Sequence, residues 1–87
     1  YELGMINDLC ETGGVIECAM TLAERINANA PLAVRSSRQL ILDAPGQSDA
    51  EGMAAADKAF NIIASTEDAV EGPRAFIEKR PPVWKGC

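Results

Sequence analysis

From Val15 onward the apolar residues recur three and four positions apart. Ile16, Ala19, Met20, Ala23, Ile26 and Ala30 share one face, with Glu17, Glu24, Arg25 and Asn27 elsewhere. That spacing predicts an amphipathic helix over about Val15 to Asn29. The stretch before it reads differently. Residues 4–10 alternate weakly after Gly4 and end at Thr12-Gly13-Gly14, a pattern compatible with a short extended stretch closed by a glycine break. The chain thus divides into an extended or turn-like lead at 1–14 and a helical region at 15–87.

Pro31 opens the next element, because a proline in the first helical turn lacks only an amide that would be unpaired there anyway. Leu32, Val34, Leu40 and Ile41 carry that second helix, and Asp43-Ala44-Pro45-Gly46-Gln47 is the clearest loop. Ser48 with Glu51 three residues on forms a capping box, and Met53, Ala56, Phe60 and Ile63 supply the apolar face of a third helix to about Ala64. Thr66 can cap a further turn. Because a proline inside a helix costs roughly 3 kcal/mol, Gly72-Pro73 predicts a break, with a last helix from Pro73 to about Lys79 stopped by Pro81-Pro82. The expected fold is mainly α, a small, irregular, orthogonal helical bundle.

Its core should be thin. Of 87 residues, fourteen are alanines, and only Tyr1, Phe60, Phe76 and Trp84 are aromatic. A domain of this size buries only roughly 60 to 65% of its unfolded surface, so the helix faces are expected to bury themselves against something outside the segment. Charge is uneven: residues 1–72 hold twelve acidic and four basic side chains, residues 73–87 one acidic and four basic. The acidic body argues against a nucleic-acid partner. Arg74, Lys79, Arg80 and Lys85 make the tail a local positive patch able to meet a few phosphates. No apolar run suits a membrane span and no leader pattern is present, so a soluble, cytoplasmic protein is expected.

Cys10, Cys18 and Cys87 have no metal-ligand spacing and are odd in number, which points to reduced thiols, with no metal. There is no histidine, so Ser-His and Cys-His nucleophilic chemistry is absent from the segment. Glu67, Asp68, Glu71 and Glu78 could be paired acid and base groups, but acidic residues in a first helical turn are more simply placed by the helix dipole. No residue is assigned to catalysis.

The last twenty-two residues carry an ordered set of features: Thr66-Glu67-Asp68, Glu71-Gly72, Ala75-Phe76, Glu78-Lys79-Arg80, Pro81-Pro82, Trp84 and Lys85-Gly86. This set resembles the C-terminal signature of the crotonase superfamily, the enoyl-CoA hydratases and isomerases. Glu2 to Asn7 is similar to the family's turn after its last core element, and Leu22 to Ala33 to its next two helices. The resemblance implies the C-terminal part of a crotonase-like α/β subunit whose catalytic core precedes this segment. It implies an acyl-CoA thioester as substrate, no separate cofactor, and assembly as a homotrimer or dimer of trimers. It also implies that Phe76 contacts the CoA moiety and Lys79 its phosphates, three residues apart and so on one helical face. Two departures stand out, Pro73 and Trp84, the first able to tilt the last helix and the second expected to pack. Two alternatives remain open: a non-enzymatic helical assembly module, or a family isomerase, carnitinyl-CoA-type dehydratase or thioester hydrolase.

Overall fold

The computed structural model describes residues 1–87 and contains four helices and no strand: α1 (Val15–Asn27), α2 (Pro31–Asp43), α3 (Asp49–Ala64) and α4 (Glu67–Glu78). Helix α2 packs on α3 and α3 on α4. Their starts follow the local chemistry. Pro31 occupies the first turn of α2, and the Ser48 hydroxyl accepts from the Glu51 amide while the Glu51 carboxylate accepts from the Ser48 amide at 2.8 Å. Thr66 caps α4 by accepting from the Ala69 amide at 3.3 Å. Residues 4–10, in the extended or turn-like lead, form no strand: they follow a turn closed by the Gly4 amide on the Tyr1 carbonyl, bend over residues 4–7 and have no regular structure over 8–10. A strand needs a partner edge for its backbone groups, and no residue here supplies one.

The expected break at Gly72-Pro73 does not occur: α4 runs through Pro73. The ring removes the amide that would have bonded the Ala69 carbonyl. Gly72 lowers the remaining cost, since without a Cβ it escapes the clash that disfavours helical backbone before a proline. It also makes room, as a Cβ there would lie 3.3 Å from the Trp84 ring.

The first half of α4 is braced by the chain that follows the helix. After Glu78 the backbone reverses and residues 80–87 return alongside the helix as a strap. The Asp68 carboxylate, only 4% exposed, accepts from the Lys85 amide at 2.7 Å and the Gly86 amide at 3.0 Å. The Glu71 carboxylate accepts from the Val83 amide at 2.8 Å, and the Glu67 amide donates to the Cys87 carbonyl at 2.8 Å. Trp84 lies over Gly72 and donates its indole N–H to the Ala28 carbonyl at 2.9 Å, tying the strap to the end of α1. Trp84 is thus a packing residue with one polar tether, as its sequence context suggested.

Beyond this clamp there is little interior. Ala75, 1% exposed, is the single buried hydrophobic residue, and nineteen large apolar side chains are exposed. The Cα radius of gyration is 16.4 Å, within a flat 44 × 40 × 19 Å envelope, against about 12 Å for a compact chain of this length. No helix is long and apolar enough to cross a membrane.

Removing the Asp68 carboxylate should free the strap's end. Asp68→Ala is expected to accelerate hydrogen exchange of the Lys85 and Gly86 amides by at least about tenfold, since each bond to a charged acceptor contributes ~1.5–3 kcal/mol. Unchanged exchange at both amides would show that the strap is held by other contacts.

Candidate functional site at the end of helix α4

Helix α4 ends in an unusual way. The amide of Lys79 bonds the Phe76 carbonyl and that of Arg80 bonds the Ala75 carbonyl at 3.1 Å, the paired closure of a Schellman motif. Its left-handed position is normally glycine. Here Lys79 takes it, with φ 53° and ψ 41°, and no other non-glycine residue in the chain has positive φ. For a side-chain-bearing residue this backbone costs about 1–2 kcal/mol. The expectation that Phe76 and Lys79 share a helical face is therefore corrected. Phe76 belongs to the last turn, whereas at Lys79 the backbone has already left the helix and the side chain departs from the reversal itself.

The closure is reinforced from the side. The Arg80 guanidinium donates to both Glu71 oxygens, Nη1 at 2.6 Å and Nη2 at 3.0 Å, and its Nε donates to Glu78. A two-pronged pair of this kind fixes geometry as well as charge. The Arg80 guanidinium, followed by the Val83 amide, holds the Glu71 carboxyl down at about 2. Arg80 is pushed up by Glu71 and then Glu78, and Glu78 is held down by Arg80 and then Arg74.

Three of the four tail cations are thereby neutralised. Arg74 pairs with Glu78 at 2.9 Å, Arg80 with Glu71 and Glu78, and Lys85 with Glu67. Only Lys79 has no carboxylate within ion-pair distance. Of the four tail cations Lys79 is the one outside an ion pair, and Phe76, three residues earlier in the last turn of α4, is 84% exposed. An exposed ring and an unpaired cation at the same helix end can take a ligand with an apolar or aromatic part and an anionic part.

The four acidic residues weighed as acid and base groups are engaged differently. Glu67, Asp68, Glu71 and Glu78 hold the strap, which goes beyond the helix-dipole placement expected of them. The sequence reading missed the Glu71–Arg80 pair, because a spacing of nine looks arbitrary until the backbone reversal at Lys79 is known. The neighbouring Cys18 thiol pushes the Cys10 thiol up to about 11, the wrong direction for a nucleophile.

The sequence model of the family described as enoyl-CoA hydratase/isomerase matches residues 1–87. The chain belongs to the enoyl-CoA hydratase/isomerase family. Among solved structures it is similar to an enoyl-CoA hydratase/isomerase from Mycobacterium paratuberculosis, with a TM-score of 0.93 and 42% identity over all of this chain and 34% of that one. It is similar to an enoyl-CoA hydratase from Mycobacterium tuberculosis H37Rv, with a TM-score of 0.94 and 40% identity over 99% of this chain and 34% of that one. Carnitinyl-CoA dehydratase of Citrobacter koseri is 33% identical in an alignment that covers 95% of this chain and 33% of that protein. The chain thus spans about a third of the length of the relatives it matches, as the C-terminal part of an enoyl-CoA hydratase/isomerase subunit would.

The Glu71 carboxyl gives a pH test. Its folded value lies below the ordinary 4.5, so the pair's contribution is complete above about 4.5 and is lost only as pH falls through about 2. The side-chain carbon resonance of Glu71 should accordingly titrate near 2; a midpoint close to 4.5 would contradict the clamp.

Proposed function

We propose that this chain serves as the C-terminal region of an enoyl-CoA hydratase-type enzyme that adds water across the double bond of a 2-enoyl-CoA thioester. In that enzyme the helices cover a catalytic core and build a trimer or a dimer of trimers, while Phe76 and Lys79 enter the CoA site. The observation that carries the CoA part is the unpaired Lys79 at the same helix end as the exposed Phe76, in a tail whose other cations are all matched by carboxylates. Phosphate is the natural counter-ion for such a lysine, and the ring offers a face to the nucleotide end of CoA.

The assembly part is supported by the nineteen exposed large apolar side chains. An open groove of about 600 Å³ along Ile26, Ala33, Val34, Ile41 and Leu42 is the broadest of these apolar surfaces. Burial at about 25 cal/mol per Å² of apolar area favours covering it. Proton transfer and thioester polarisation belong to carboxylates and backbone amides outside these 87 residues, and this segment contributes binding. Family chemistry on the same tail extends to dehydration, a reading favoured by the similarity to carnitinyl-CoA dehydratase.

In the full-length enzyme, Lys79→Ala and Phe76→Ala are each expected to raise KM for a CoA thioester about tenfold while lowering kcat much less. Contacts remote from the reacting atoms bind ground state and transition state alike. Steady-state kinetics on the two variants checks this, and an unchanged KM in both would remove the end of α4 from the site.

A further inference from the structure

We infer that Arg80 is a positioning residue for Lys79: its fork onto Glu71 holds the left-handed backbone from which the Lys79 ammonium is presented to a phosphate-bearing ligand. The inference rests on the reading of Lys79 as a CoA contact. It concerns what keeps that lysine in place.

Three observations carry it. Lys79 occupies a backbone region that a glycine would fill at no steric cost, and such a conformation persists only where the surroundings over-determine it. The surroundings are Glu71 and Arg80. One Glu71 oxygen accepts from both Arg80 Nη1 and the Val83 amide, and the other accepts from Arg80 Nη2, so a single carboxylate grips the chain at two points just past Lys79. Finally, Glu71 and Glu78 are both paired with Arg80, with Arg74 also on Glu78, and neither is paired with the Lys79 ammonium.

If the fork is lost, Lys79 can relax toward the helical or extended regions that a side-chain-bearing residue prefers, and its ammonium moves with the backbone. Glu71 and Glu78, released from Arg80, then become competing partners for it. Arg80 itself, already bonded to two carboxylates and to the Pro81 carbonyl at 3.1 Å, has little donor capacity left for a phosphate. Lysine cannot replace it, because an ammonium lacks the planar fork.

The test is a double-mutant cycle in the full-length enzyme, read as KM and kcat on a CoA thioester and on the corresponding pantetheine thioester, which has no nucleotide phosphates. Arg80→Gln is expected to raise KM for the CoA thioester about fivefold or more, to leave KM for the pantetheine thioester unchanged, and to add nothing in a Lys79→Ala background. Arg80→Lys should show the same selective loss. Glu71→Gln, which keeps shape and removes the other half of the pair, should do so too and covers the case in which Arg80→Gln fails to fold. Equal losses on both thioesters, or a loss that adds fully to that of Lys79→Ala, would overturn the inference in favour of a structural role or a direct phosphate contact. Wild-type kinetics for Arg80→Gln and Glu71→Gln, with Lys79→Ala impaired, would overturn the positioning role and leave the CoA reading standing. Wild-type KM for Lys79→Ala would overturn both.

Discussion

The structure depends on two carboxylates of α4 that capture the backbone of the chain's own last residues. Asp68 and Glu71 between them accept from the amides of Val83, Lys85 and Gly86 and from the Arg80 guanidinium. These bonds have charged acceptors, and one of the acceptors is buried, the conditions under which a hydrogen bond contributes most. With a single buried hydrophobic residue, Ala75, the α4 end cannot be organised by a core in the ordinary sense. Polar capture of the strap takes that role, and Trp84 extends it to α1 by lying over Gly72 and reaching the Ala28 carbonyl.

The same clamp sets the charge pattern of the tail. Pairing Arg74 within α4, and Arg80 and Lys85 between the strap and α4, leaves Lys79 as the one tail cation outside an ion pair, and the reversal it occupies is closed by the Lys79 and Arg80 amides. Strain at Lys79 is therefore stored in a place where geometry at the helix end is fixed by many bonds at once. Away from the clamp the molecule has the opposite character, a flat arrangement of helices with apolar faces open to whatever packs on them. Rigid tail and open faces suit a region that both docks onto a larger body and presents a contact to a ligand.

Much of this was legible in the sequence where the signals are local. The Ser48–Glu51 box, Pro31 at a helix start, Thr66 as a cap and the three-and-four spacing after Val15 each act within a turn or two, and α1 to α3 lie close to where they were expected. The signature around Glu71, Phe76 and Glu78-Lys79-Arg80 carried the family. What the sequence hid is long-range. Pro73 predicted a break because its local cost is real, and nothing near it announces that residues 80–87 fold back along the first half of the helix. Lys79 predicted a helical position because left-handed lysines are rare, and Glu67, Asp68 and Glu71 predicted dipole partners because their side chains' true partners are nine to eighteen positions away.

The most direct measurement is a structure of the full-length enzyme with CoA bound. Lys79 should keep its left-handed backbone, with its ammonium about 3 Å from a CoA phosphate oxygen and Phe76 against the nucleotide. CoA phosphates held by other cations, with Lys79 turned to solvent, would contradict the assignment of this helix end to the ligand.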